Sequence, residues 1–334
     1  MKKIGIAVAS IVFAAAASNA QTKTRFALDW KFEGPSAAYF AAIDNGHFAA
    51  EGLDIEISAG QGSLDAIPKV STGSYPFGFA DINSLAKFKD SEPDAPVVAV
   101  MMVYDKPPFA VVGRKSLGVS APSDLEGRIL GAPPPDGAWA QFPAFASANS
   151  LDVEAITVEP VGFPTREPML AEGKVDAITG YSFSSYLNLV RLGIDPVDIS
   201  VILMADHGLQ LYGNAIIVNT DYAAENPDAV TGFIRAVAKG WKDVIADPAA
   251  GVGLMMKRNQ AANLELETER LQISIDGNVL TDYVKENGIG GIDDERFALS
   301  LKQLEENYEF ETSPEASNIF TSEYLPDDGS LMIQ

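Results

Sequence analysis

The sequence predicts an α/β protein of two lobes, each with a parallel-rich sheet flanked by helices, and a cleft between the lobes. Three observations favour this class. Strand-like and helix-like runs alternate along the chain, and strands joined through helices form parallel pairs with right-handed crossovers. About 314 residues follow an unusual N-terminal segment, too many for one comfortable core. The alternation pauses at 105–108 and then resumes, which indicates passage between lobes.

Each element of the first lobe has its own signal. Residues 35–45 predict a helix because Pro35 lies in its first turn and Gly46 follows its end. Residues 53–57 alternate apolar and acidic side chains, as in a half-buried strand. The apolar run 97–103 predicts a strand buried on both faces. The other predicted elements here are strands over 25–30 and 75–80 and helices over 63–70 and 83–89.

The same alternation continues in the second lobe. A Pro-rich loop, 133–137, precedes an aromatic-rich helix that begins at Trp139. Further strands are predicted over 158–163, 175–179 and 211–219, and further helices over 167–172 and 227–246. The strand over 211–219 is expected to return the chain to the first lobe.

These elements divide the chain into four parts. Residues 1–20 are predicted to be a signal peptide, 21–108 the first part of lobe one, 109–212 lobe two, and 213–334 the return to lobe one with the C-terminal helices and tail. The chain then crosses between lobes twice, and two crossings form a hinge that is free mainly to open and close.

The signal-peptide prediction rests on the first twenty residues. Lys2 and Lys3 precede an uncharged run, 4–17, and Ser18-Asn19-Ala20 places small residues where a signal peptidase cleaves. The alternative is a membrane anchor, but a spanning helix needs about 20 apolar residues and this run is shorter. The expected location is the periplasm.

Charge and cysteine content exclude several classes of protein. The formal charge is −22 and becomes −24 once Lys2 and Lys3 are removed, which disfavours nucleic acid and anionic lipid as partners. The chain has no Cys, so disulfides, thiolate metal sites, Cys nucleophiles and a lipid anchor on an N-terminal Cys are excluded. A free periplasmic protein without a lipid anchor fits both observations.

Two stretches carry a family resemblance. "LDWKFEGPSAAYFAAIDNGHFAAEGLDIEI", followed by a Gly-Gln-Gly-Ser loop, and "TREPMLAEGKVDAITGY" resemble the periplasmic solute-binding proteins of ABC importers in the nitrate, sulfonate, taurine and thiamine-pyrimidine group. The resemblance covers about residues 24–300. It implies a two-lobed type II periplasmic binding protein fold, a small-molecule solute, and a membrane permease with its ATPase as partner. It also implies a monomer without a cofactor.

The resemblance and the strand pattern together place the candidate ligand-binding residues at strand ends and helix starts, where open α/β sheets bind ligands. The candidates are Asp29, Trp30, Phe32, Glu33, Tyr39, Gln61, Gly62, Ser63, Asp81, Asn83, Asp136, Trp139, Arg166, Glu167 and Tyr181. In the pyrimidine-binding members a Trp follows the first strand as Trp30 does here, although Lys31 to Gly34 replace the Pro-Asn that comes next in those relatives.

Structural roles are the alternative for each candidate. Trp30 and Phe32 could fix the first helix to the sheet, and Asp81 could cap the helix that follows it. The remaining alternatives are core packing for Tyr39 and Trp139, capping or solvation for Asp29 and Glu33, a routine helix start for Gln61 to Ser63, and a local ion pair for Arg166 with Glu167.

Catalysis has little support in the sequence. His47 and His207 are the only histidines and belong to no catalytic or metal-binding motif. Pyrimidine synthases of the yeast type share the implied fold, but they depend on a Cys-rich iron motif that a chain without Cys lacks. We therefore expect a binding protein with no catalytic residues and no metal site, and a secreted enzyme is the less favoured alternative.

The charges of the candidate residues favour one class of solute. Asp29, Glu33, Asp81 and Glu167 outnumber Arg166, so an unpaired anion would be costly to bury among them. The aromatic candidates suit a flat ring. The sequence predicts a small nitrogen heterocycle such as a thiamine-precursor pyrimidine, and the alternative is taurine or another alkyl sulfonate held by Arg166.

Overall fold

The computed structural model describes residues 21–333, so the predicted signal peptide, 1–20, lies outside the described residues. Within that part of the chain no helix combines the length and the apolar character needed to cross a membrane.

Within residues 21–333, ten strands form two five-stranded sheets. The strands are β1 (Thr22–Ala27), β2 (Leu53–Ser58), β3 (Phe77–Asp81), β4 (Val97–Met102), β5 (Phe109–Arg114), β6 (Ile129–Ala132), β7 (Thr157–Pro160), β8 (Ala177–Tyr181), β9 (Ile199–Leu203) and β10 (Asn214–Asn219). The first sheet has the order β2-β1-β3-β10-β4 and the second β7-β6-β8-β5-β9.

Helices surround both sheets. The α-helices are α1 (Ala37–Asp44), α2 (His47–Ala50), α3 (Ser63–Ser71), α4 (Ile82–Ser91), α5 (Gly137–Ala140), α6 (Phe142–Ala148), α7 (Arg166–Ala171), α8 (Ser182–Arg191), α9 (Thr220–Glu225), α10 (Pro227–Ala246), α11 (Pro248–Met256), α12 (Leu264–Ser274), α13 (Asp282–Asn287), α14 (Asp294–Glu305) and α15 (Ala316–Ile319). Short 3₁₀ turns lie at Gly34–Ser36, Lys115–Leu117, Pro122–Leu125, Val153–Ala155 and Met204–His207, and a π-helical turn lies at Ile275–Val279.

Both sheets are mixed, with β10 antiparallel to β3 and β4 and β5 antiparallel to β8 and β9. The physical reason is the path of the chain. Each of these strands enters its sheet directly from the connection to the other sheet, so it starts at the edge where the parallel strands end. Asn214 at the start of β10 accordingly pairs with Asp81 at the end of β3. Sequence patterns missed β5, β6 and β9, and β1 begins and ends three residues before the predicted strand.

Two connecting segments, 103–108 and 204–213, join the sheets and are hydrogen-bonded to each other. The N–H of Gly213 donates to the carbonyl of Tyr104 at 2.9 Å, and the N–H of Tyr104 donates to the carbonyl of Asn214, the first residue of β10, at 2.9 Å. The division into lobes at 108/109 and 212/213 remains a prediction.

The core beside the first sheet depends on close packing between α1 and α10. Phe233 of α10 stacks on Phe77 of β3 with centroids 3.9 Å apart. Farther along α10, Gly240 lies against the backbone of α1, and a Cβ built there would be 2.1 Å from the carbonyl oxygen of Ala38. No side chain fits this contact without moving one helix.

We expect Gly240→Ala to destabilise the protein by about 1–3 kcal/mol, because overpacking outweighs the helix-propensity gain of Ala. Gly253→Ala is the matched control, since Gly253 is an exposed residue of α11 with nothing within 4 Å of a built Cβ. The control should gain about 0.5–1 kcal/mol. Urea unfolding of both variants checks the pair, and equal stabilities would contradict the packing argument.

Candidate functional site

A cavity lies between the two sheets and takes its lining from both. Its volume is about 660 Å³, with the open space at its mouth included. The first sheet contributes the loop after β1, the start of α3 and Phe79 of β3. The second sheet contributes the start of α5, Arg166 of α7 and Tyr181 at the end of β8.

Nine of the fifteen predicted site residues line this cavity. They are Asp29, Trp30, Glu33, Tyr39, Gly62, Ser63, Asp136, Arg166 and Tyr181. Their contact with a solute stays a prediction. Their convergence follows from the strand ends, which bring distant parts of the chain to the facing edges of the two sheets.

Two aromatic candidates, Phe32 and Trp139, lie outside the lining. The ring of Phe32 packs edge-on against Phe40 of α1, with centroids 5.0 Å apart. Trp139 stacks on Phe142 at 5.4 Å with an interplanar angle of 23°. Both rings serve packing in this structure.

Four polar candidates also lie outside the lining, namely Gln61, Asp81, Asn83 and Glu167. Asp81 is fully buried and caps α4, accepting the N–H groups of Asn83 at 3.0 Å and Ser84 at 2.9 Å. Its Oδ2 also accepts from Gln141 Nε2 at 3.0 Å, across the gap between the sheets. The capping alternative therefore describes Asp81 best. Gln61 is exposed to solvent.

A chain of hydrogen bonds crosses between the sheets beside the cavity. Asn214 donates from Nδ2 to Asp29 Oδ2 at 2.6 Å and accepts at Oδ1 from the Tyr181 hydroxyl at 2.7 Å. Burial raises the pKa of Asp29 to about 7, and the bond from Asn214 offsets part of that rise. Asn214 was not among the predicted residues, and its only signal is a polar side chain at the start of a strand with an apolar centre.

Glu33 is held by groups from both sides of the cavity. Its Oε2 accepts from Trp30 Nε1 at 3.1 Å and from the Ser184 hydroxyl at 3.1 Å. The guanidinium of Arg270, on α12, lies 3.7 Å from the same oxygen. Ser184 and Arg270 were not among the predicted residues, because nothing local in the sequence connects α8 or α12 to the loop after β1.

Arg166 is already paired with acids of its own lobe. Its guanidinium contacts Glu167 Oε1 at 2.6 Å and Asp136 Oδ2 at 3.7 Å, and all three side chains are buried. Burial raises the pKa of Asp136, while Arg166 opposes the rise. Asp136 also accepts from the Thr179 hydroxyl at 3.0 Å. This cluster of one cation and two acids leaves Arg166 with little charge to offer an anion.

Seven aromatic rings line the cavity, and three of them were predicted. The seven are Trp30, Tyr39, Phe79, Tyr104, Phe163, Tyr181 and Phe183. Trp30 meets Phe163 edge to face, with centroids 4.6 Å apart and rings from opposite sheets. Phe163 has the same signal as Trp30, an aromatic side chain that ends a predicted strand, but it is not among the predicted site residues.

Both histidines lie away from the cavity lining. His47 Nε2 lies 2.7 Å from the Asp243 carboxylate, and the ring of His207 packs edge-on against Phe145. Among residues 21–333, no group of three or more His, Asp or Glu side chains is arranged to hold a metal ion.

The chain has the two-lobed periplasmic binding protein fold of type II, as the sequence predicts. The periplasmic aliphatic sulphonate binding protein SsuA from Escherichia coli superimposes with a TM-score of 0.70 at 14% identity, over 89% of this chain and 91% of that one. At this identity the likeness concerns the fold alone. Residues 35–251 match the family model described as NMT1/THI5 like, and the chain belongs to this family.

Curated relatives include binding proteins and enzymes. The riboflavin-binding protein RibY of Chloroflexus aurantiacus is 26% identical over 297 residues, 87% of this chain and 82% of the relative. A formylaminopyrimidine-binding protein of Halalkalibacterium halodurans is 27% identical over 303 residues, 88% of each chain. The 4-amino-5-hydroxymethyl-2-methylpyrimidine phosphate synthase THI5 of Saccharomyces cerevisiae is 25% identical over 236 residues, 68% of each chain. The predicted family resemblance is confirmed.

The pKa of Asp29 predicts a pH-dependent stability. A carboxyl group whose pKa rises from 3.8 to about 7 on folding stabilises the folded state below about pH 4, and this contribution is lost as the pH rises through about 7. In the wild type, the free energy of unfolding should therefore fall by an amount on the order of 2–4 kcal/mol between pH 4.5 and 8. We expect this fall to be absent in Asp29→Asn. Urea unfolding across that range checks it.

Asp44→Asn is the control for this experiment. Arg258 and Lys257 hold the pKa of Asp44 at about 2, so its contribution is lost only as the pH falls below about 4. The control should leave the slope between pH 4.5 and 8 unchanged. A wild-type slope that survives in Asp29→Asn would refute the assignment to Asp29.

Proposed function

We propose that this protein is the exported solute-binding component of an ABC importer and captures a small nitrogen heterocycle by closure of its two lobes. The observation that carries this proposal is the cavity itself. It joins aromatic faces from both sheets to the carboxyl groups of Asp29 and Glu33, while Arg166 is neutralised within its own lobe.

The aromatic lining supports a flat solute. Trp30 and Phe163 approach each other from opposite sheets, so lobe closure would bring ring faces or edges onto a bound heterocycle. Such contacts contribute roughly 0.5–1.5 kcal/mol beyond the area they bury. The relatives that bind riboflavin and formylaminopyrimidine, both ring compounds, agree with this class.

The charges around the cavity disfavour a sulfonate. Arg166 and its two acidic partners carry a formal charge of −1 together, and Asp29 and Glu33 add acidic groups nearby. A sulfonate would have to displace an acid from Arg166 or pair with Lys31, an exposed residue whose ammonium lies over the Trp30 ring at 5.1 Å. In either place it would lie beside carboxylates that repel it, which is costly in a partly buried site. A ring amine or ring N–H can instead donate to these carboxyl groups.

A binding role is favoured over catalysis by residues of this chain. The chain has no Cys, and neither His47 nor His207 lines the cavity. The lining formed by residues 21–333 therefore offers neither the thiol nor the imidazole that many hydrolases and transferases use as nucleophile or general base. We propose a periplasmic monomer that delivers its solute to a membrane permease driven by an ATPase.

Calorimetry tests the class of solute. Protein freed of bound solute by unfolding and refolding is titrated with 4-amino-5-hydroxymethyl-2-methylpyrimidine, with riboflavin and with taurine. We expect at least one heterocycle to bind with a dissociation constant of about 1 μM or below, near −8 kcal/mol, and taurine to give no heat. Tight binding of taurine, with no heat from either heterocycle, would contradict the heterocycle and identify a sulfonate as the class of solute.

Trp30→Ala should lower the affinity for the heterocycle by about 1–3 kcal/mol, as is typical of an aromatic hot spot. Trp139→Ala is the matched control because that indole is also partly exposed but packs on Phe142 outside the cavity. The control should bind normally even if its melting temperature falls. Equal affinities of the two variants, measured by the same titration, would remove Trp30 from the site.

A further inference from the structure

Arg270 connects the two sides of the cavity. This residue of α12 is 1% exposed, and its Nε donates to Glu267 Oε2 at 2.9 Å. The rest of the guanidinium reaches α8, beside the second sheet. There it donates to the carbonyls of Phe183 at 3.3 Å and Ser184 at 3.2 Å and to Asn188 Oδ1 at 3.2 Å. A planar group with five donors can satisfy such a spread of acceptors, and a Lys ammonium cannot.

The same guanidinium helps to orient Glu33. Three groups surround Glu33 Oε2: the Trp30 indole N–H, the Ser184 hydroxyl and Arg270. The other carboxylate oxygen, Oε1, has no hydrogen-bond partner within residues 21–333. The side chain is 14% exposed and lines the cavity. Glu33 is therefore fixed through one oxygen and keeps the other for a donor.

The positive charge of Arg270 is balanced mainly by Glu267, so the negative charge of Glu33 is not neutralised. Glu267 pairs with Arg270 at 2.9 Å, whereas Glu33 lies 3.7 Å away. Glu267 also accepts the N–H of Gly34 at 2.7 Å, which ties the loop carrying Glu33 to α12. One cation against two acids gives this group a formal charge of −1, so an added donor with positive charge is favoured there.

We propose that Glu33 selects solutes that present a cationic amine to the cavity, and that Arg270 is the positioning residue that holds Glu33 and α8 in place for this contact. This proposal rests on the proposed function, since it names the chemical class of heterocycle that the cavity prefers: one that bears a primary amine. A neutral hydroxyl at the same place can still donate to Oε1, but it lacks the charge.

Two probes that differ in one group test this selection. The first is 4-amino-5-aminomethyl-2-methylpyrimidine, which carries a primary ammonium, and the second is 4-amino-5-hydroxymethyl-2-methylpyrimidine, which carries a neutral hydroxyl. We expect the wild type to bind the first at least tenfold more tightly. Glu33→Gln keeps the shape and removes the charge, so the affinity for the first probe should fall at least tenfold and that for the second less than threefold.

Two further variants separate positioning from general stability. Glu56→Gln, an exposed residue of β2, should leave both affinities unchanged. Arg270→Lys keeps the charge without the planar fork, so the preference for the ammonium probe should fall at least fivefold. If Arg270 had only a structural role, Arg270→Lys would lower the affinity for both probes equally, and the ratio of the two affinities would stay as in the wild type. If the Arg270 variant does not fold, the two affinities measured for Glu33→Gln test the proposal.

The outcomes distinguish this proposal from the proposed function. A wild type that binds neither pyrimidine nor riboflavin overturns both. Binding of riboflavin alone, or of the two pyrimidines with equal affinity, supports the heterocycle and overturns the role of Glu33. An ammonium preference that survives in Glu33→Gln has the same consequence.

Discussion

The hydrogen bonds from Asp29 through Asn214 to Tyr181 are the constraint on which the site depends. They fix the end of β1, the start of β10 and the end of β8 relative to one another. Buried polar groups are costly unless each is satisfied, so this geometry holds only while both sheets are in place. Burial also raises the pKa of Asp29 to about 7, so the protonated and ionised forms are both populated near neutral pH and this carboxyl can donate or accept beside the cavity.

Two arginines with similar surroundings organise the charge of the cavity. Arg166 lies with Asp136 and Glu167 on one side, and Arg270 lies with Glu33 and Glu267 on the other. Each guanidinium orients acidic side chains without leaving a free positive charge. Rigid, already paired acids need little reorganisation when a donor arrives, which favours affinity by preorganisation.

Much of the architecture follows from local sequence signals, and α10 begins at Pro227 and ends at Ala246 as predicted. The strand-end rule also locates Asp29, Trp30, Asp136 and Tyr181 in the lining. Local patterns fail where a contact joins distant segments: Arg270 and Glu33 are 237 residues apart. They also fail where one residue type serves two purposes, because a cap and a ligand contact place the same Asp at the same strand end, as Asp81 illustrates.

Gly62 sets how far the two sheets can approach. Its φ of 104° lies in the left-handed region, and a Cβ built there would be 2.6 Å from the carbonyl oxygen of Pro135 on the opposite side. Here the sheets meet backbone to backbone, with room for hydrogen only. The closest approach of the two sheets at this point is thus set by the main chain, and any side chain at position 62 would push the loop at Pro135 away.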